Sequence, residues 1–207
     1  MRKLFILPIY FLLLINFSVM AQTEPEPKTL FKSGRATGFG QFDVKYTQIR
    51  DNDVLILGGQ GGVILNRHVI LGLTAHSTVN DLYFDGTAPA ERLSFQMGYG
   101  GILLGYIVAP VKVVHISFPV SFGAGTVNIY NRINESFYGE TIKVDIENSL
   151  FLYTEPGIQL ELNIVKFMKI AAGVSYRLNH SLDLTNPIKS NDLNNWATNF
   201  SIVLGKF

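Results

Sequence analysis

Two residues in this chain have the types and spacing for chemistry. His115 and Ser117, separated by Ile116, share a face if the segment is a strand, and with a carboxylate they would make a base-activated nucleophile. No acidic residue is fixed beside them by the sequence. Around them, a wider polar set falls on one side of alternating segments: Asp43, Lys45, Gln60, His76, Gln96, His115, Glu155, Gln159, Glu161 and Arg177. If that side faces inward, its charges must pair, because an isolated buried charge is very costly. The expectation is a structural network in which Lys45 and Arg177 neutralise Asp43, Glu155 and Glu161, with His115 hydrogen-bonded inside it. His68, His76 and His180 lack partners at metal-ligand spacing, and the chain has no cysteine. Gly58-Gly59-Gln60-Gly61-Gly62 lacks the Lys-Ser/Thr and the helix of a phosphate loop, and is read as a bend in a sheet. Glu135, Glu140, Asp145 and Glu147 fall in a polar stretch where a solvated loop is the plain reading. The alternative there is a divalent cation bridging lipopolysaccharide phosphates. No catalytic, cofactor-binding or metal site is expected, and no cofactor.

The elements that must hold these residues are strands. From Val114 to Phe122 every second residue is apolar (Val114, Ile116, Phe118, Val120, Phe122), and the residues between are small or polar. With Leu93 to Val108 this makes a long hairpin reversing at Ala109-Pro110-Val111. Further strands follow from the same period: one around Phe42, Val44 and Tyr46, then Leu55 to Leu65, and Val69 to His76. Ile158 to Ile164, Ile170 to Leu178 and Trp196 to Leu204 complete the set. That gives eight, an even number. Connections after the second, fourth and sixth strands are tight, at 66–68, 109–111 and 165–168. Those after the third, fifth and seventh are long and polar, at 80–91, 131–148 and 181–195. Short turns on one rim and long loops on the other mark an outer-membrane barrel. A sheet survives in lipid only when closed, because an edge would leave backbone groups unpaired.

Composition agrees: 47% hydrophobic, 16% charged, 19 glycines, 15 Phe and 9 Tyr in 207 residues. Met1 to Ala21 reads as a cleaved signal peptide, with Arg2 and Lys3 before an apolar run and small residues at the cleavage site. Residues 22–37 read as a flexible arm with two prolines, and 38–207 as the barrel. Without Arg2 and Lys3 the 17 basic residues become 15 against 16 acidic, a formal charge of −1, with no basic patch for nucleic acid. A transmembrane helix over 102–120 would be broken by Pro110 and Pro119 and would put Lys112 and His115 in lipid. A secreted soluble β-sandwich or lipocalin-like barrel, with the apolar face turned inward, stays open, since alternation alone does not tell inside from outside.

The signal sequence, the eight strands and the terminal phenylalanine resemble the small OmpA-like and OmpX-like outer-membrane barrels. The blocks GGQGGVILNRHVILG, MGYGGILLGYIVAPVKVVHISF and ELNIVKFMKIAAGVSYR resemble an uncharacterised group of such proteins, over residues 34–207. The resemblance implies an all-β, eight-stranded antiparallel up-and-down transmembrane barrel in the cell outer membrane. Its partners would be membrane lipid and lipopolysaccharide, the barrel-assembly machinery and an extracellular partner at the long loops, and the protein would be a monomer. A structural or surface-interaction role follows, with a narrow gated pore or a lipid-modifying enzyme as alternatives. His115-Ile116-Ser117 is similar to the His-x-Ser element of outer-membrane lipid A deacylases, whose reactive residues face the membrane, whereas here Ile116 and Phe118 take that side. One departure stands out: Phe207 is in phase with Gly205, Val203 and Ser201, not with the outward Leu204, Ile202 and Phe200.

Overall fold

The structure, a computed structural model, describes residues 35–49, 52–79, 82–85, 92–134, 141–180 and 193–207. The expected signal peptide and nearly all of the arm lie outside them. Ten strands follow in order: β1 (Ala36–Ile49), β2 (Asn52–Leu65), β3 (Val69–Thr78), β4 (Leu82–Asp85), β5 (Arg92–Val108), β6 (Val114–Asn134), β7 (Thr141–Val165), β8 (Met168–Tyr176), β9 (Leu178–His180) and β10 (Trp196–Gly205). Eight of them close a ring through antiparallel pairings, β1–β2–β3–β5–β6–β7–β8–β10 and back to β1. β4 pairs with β5 beyond the end of β3, and β9 pairs with β7 beyond the end of β8, so each short strand prolongs the barrel wall. Ile102 and Val120, the ends of the rejected helix, sit on β5 and β6.

Several boundaries differ from the sequence reading, three of them in what they add to the wall. β1 begins at Ala36, inside the expected arm, with Ala36 and Thr37 paired to Leu65 and Ile64. The segment read as a loop over 131–148 is largely sheet, since Asn131 to Asn134 pair with Val144 to Thr141. Within 80–91, Leu82 to Asp85 likewise pair with Phe95 to Arg92. Thr141 to Ile146 does alternate polar and apolar, and Leu82 to Phe84 is an apolar run, but each is short and flanked by polar turn residues, so too few residues carry the period for it to stand out.

The wall is apolar outside. Phe42, Leu73, Ile102, Ile116, Leu160, Val174, Phe200 and Leu204 are all exposed, as the alternation placed them. Along β10 the outward residues run from Trp196 to Leu204, roughly 26 Å of strand and about 20 Å of height at a ~40° tilt. Trp196 packs at a tilt against Tyr176 and shares its end of the barrel with Tyr46; Tyr106 stacks on His68 at the other. Paired aromatic girdles of this kind suit the two water–lipid boundaries.

Inside, glycines let the wall close over large side chains. Asp43, Gly58 and His76 lie in one row across β1, β2 and β3. A Cβ on Gly58 would overlap the His76 ring and the Ala75 carbonyl oxygen. Gly125 stands in the same way between Tyr99 and Phe151. Gly62 faces Gly72, and Gly101 faces Gly123, where a Cβ would run into the neighbouring strand's backbone. The glycine-rich segment of β2 is therefore a place of close approach within the sheet.

Candidate functional site

Three layers fill the barrel. Toward the rim away from the chain ends, Ile49, Val54, Ile56, Phe95, Met97, Tyr99, Val127, Ile129, Phe151, Tyr153 and Leu193 form a buried apolar cluster. Near the rim carrying the tight turns, Ile64, Ile70, Leu103 and Ile107 form a smaller one, with Phe39 and Phe207 packed against it. Two ionic groups, around Glu155 and Asp43, occupy the space between, and a third, around Glu161, lies beside the smaller cluster at the turn rim.

Glu155 is the hub of the first ionic group. Lys45 Nζ donates to its Oε1 at 2.6 Å, and Ser175 Oγ donates to the same oxygen at 2.7 Å. Arg177 Nε stands 3.9 Å from Oε2. Lys45 and Glu155 come from β1 and β7, which are not neighbours in the wall, so this pair crosses the lumen. The Arg177 guanidinium lies over the Tyr99 ring at 4.7 Å, and Lys45 Nζ at 5.7 Å, so the aromatic face takes part of both charges. Gln60, Gln159 and Asn199 border this group around a void of about 20 Å³, no larger than one water.

Asp43 belongs to a second group. Its Oδ2 lies 3.1 Å from His76 Nε2, and Gln41 Nε2 donates to Oδ1 at 2.7 Å. His76 Nδ1 is 3.0 Å from Thr74 Oγ1, and its ring stacks on Tyr99 at 5.2 Å. In the third group Glu161 Oε2 accepts from Lys169 Nζ at 3.2 Å and lies 2.9 Å from His115 Nε2. Lys169 Nζ also sits 4.1 Å from the Phe207 ring centroid.

The expected pairing is thus corrected in two places. Lys45 and Arg177 both serve Glu155, while Asp43 is partnered by His76 and Glu161 by Lys169 and His115. Lys169 is absent from the sequence reading, which takes 165–168 as a turn and starts the next strand at Ile170. Continuing the phase of Ser175, Gly173 and Ala171 by one step would have found it. Gln96 does not join the interior: its side chain is exposed, since Phe95, Met97 and Tyr99 take the inward positions of β5.

The nucleophile reading does find its carboxylate in Glu161, but the geometry does not relay a proton to Ser117. His115 Nε2 faces Glu161 and Nδ1 is 3.3 Å from the Lys112 carbonyl oxygen, so both ring nitrogens are engaged away from the Ser117 hydroxyl. Both residues are buried within the barrel, away from the outer face. The side chains of Glu135, Glu140, Asp145 and Glu147 lie outside the described residues.

No protein-family model matches the chain, and no curated protein matches it. Solved structures do. Neisserial surface protein A is 12% identical with a TM-score of 0.51, covering 85% of this chain and 100% of that one. A major outer membrane protein from Thermus thermophilus is 7% identical with a TM-score of 0.50, covering 81% and 99%. The N-terminal β-barrel domain of Pseudomonas aeruginosa OprF is 13% identical with a TM-score of 0.47, covering 83% and 98%. At such identities the likeness speaks for architecture alone, and the architecture of this chain is that of the small outer-membrane β-barrels.

Proposed function

We propose that the protein is a sealed, monomeric barrel of the cell outer membrane, without catalysis or a cofactor. It would act structurally or by presenting the connections on the rim away from the chain ends to an external partner, with outer-membrane lipid and lipopolysaccharide around its wall. The observation that carries this reading is the outer face: large apolar residues are exposed on strand after strand of the wall, while Asp43, Lys45, Glu155, Glu161, Lys169 and Arg177 are buried in the interior beside two apolar clusters. A soluble barrel exposing Phe42, Leu73, Leu160 and Phe200 on one continuous face would aggregate. The pore alternative fares worse, because the Glu155 and Asp43 groups lie between two apolar clusters and eight strands leave room only for side chains. Purified protein inserted in planar bilayers is expected to give no conductance steps, and to migrate faster on cold than on heated gels. Steps that disappear on changing Lys45 or Arg177 would replace this reading with the gated pore.

A further inference from the structure

At the rim carrying the tight turns, a cavity of about 350 Å³ opens between the β2/β3, β5/β6 and β7/β8 turns. That is the small end of the range for ligand pockets, ~300–1,000 Å³. Its floor is apolar: Ile64 and Ile107 are buried there, with Phe207 beside them. Three cations line it from different elements: Arg67 from the β2/β3 turn, Lys166 from the β7/β8 turn, and Lys169 from β8. Among the described residues no Asp or Glu side chain lines it. Lys169 is held by Glu161, but Arg67 and Lys166 are exposed and make no ion pair among the described residues. The backbone is arranged at some cost to put these residues there. Asn66 and Arg67 have φ of 52° and 66°, a hairpin turn whose second position ordinarily holds glycine. Ala109, at φ 53°, leads Pro110 and Val111 into the wall of the same cavity.

We propose that this cavity binds a single-chain amphiphile with an anionic head, the head on Arg67 and Lys166 and the hydrocarbon on Ile64, Ile107 and Phe207. Apolar floor and cationic lip together select such a ligand: a free anion would leave the floor unused, and an uncharged chain would leave the cations unpaired. The head is a fatty-acid carboxylate or a lysophospholipid phosphate, which share this chemistry. The site does not depend on whether the barrel is sealed.

The test uses the full chain in a neutral maltoside detergent, with a dansyl-labelled undecanoic acid as fluorescent probe. Palmitate and lysophosphatidylglycerol are expected to displace the probe, the better competitor identifying the head. Hexadecanol should compete at least about 10-fold more weakly. The double variant R67G/K166A should bind the probe about 10-fold more weakly or less, which also corrects for partition into micelles. Arg67→Gly suits the turn better than the native residue, so the cold-gel migration of a folded barrel should persist in it. Displacement by inorganic phosphate as effective as by palmitate, equal competition by hexadecanol, or unchanged affinity in the folded double variant would each overturn the proposal.

Discussion

Glu155 shows how much one buried charge can depend on its neighbours. It is 4% exposed and receives Lys45, Ser175 and the more distant Arg177. Removing one member of a buried pair strands the other without water, at a cost of about 3–5 kcal/mol. Glu155→Gln strands two cations, whereas Lys45→Met strands a carboxylate that keeps Ser175 and Arg177. The first substitution should therefore lower stability more than the second, by the full ~3–5 kcal/mol, in urea unfolding of vesicle-inserted protein. Equal losses would mean that Arg177 does not share the Glu155 charge. The identities of the interior carboxylates were readable from their phase in the sequence. Their partners were not, because Lys45 and Glu155 are separated by 110 residues and meet only across the closed lumen.

At the scale of the element, β2 carries the plainest lesson. Its glycines looked like a bend, and the register gives each a neighbour. Gly58 lies between Asp43 and His76, and its missing side chain lets them meet across an intervening strand. Gly58→Ala should cost about 1–3 kcal/mol by overpacking and by parting that pair. Gly40, on β1, has nothing within 4 Å of where a Cβ would stand, so Gly40→Ala should stay within about 0.5 kcal/mol of the native protein. Urea midpoints of the two variants measured side by side check this, and a Gly58 variant as stable as the Gly40 one would refute the close approach. The end of β10 is the second case. Phe207 is turned in over Lys169, while Gly205 N donates to the Phe167 carbonyl oxygen at 3.0 Å and Phe207 N to that of Lys166 at 3.3 Å. The out-of-phase aromatic thus packs against the apolar cluster at the turn rim and covers a cation.

For the whole molecule the decisive property is which medium touches the outer face. In a bilayer, an arginine near the mid-plane costs about 2–4 kcal/mol and one near an interface about 0–1. Phe200 is midway along β10 and Leu204 near its end. Phe200→Arg should therefore destabilise vesicle-inserted protein by about 2–4 kcal/mol and Leu204→Arg by at most about 1. In a water-soluble barrel both changes would be neutral, so a depth-independent result would remove the membrane assignment. By itself, the sequence determined the number of barrel strands, the tight turns and the two faces of most strands, Gln96 on β5 being the exception, because the period of 2 is a local property of an extended backbone. Tertiary structure decided the rest: that 82–85 and 131–134 prolong the ladder, that Lys169 and His76 complete the ionic groups, and that apolar clusters gather toward both ends of the interior. These depend on which strands become neighbours and on the stagger with which the ring closes, and neither is written in any local window of residues.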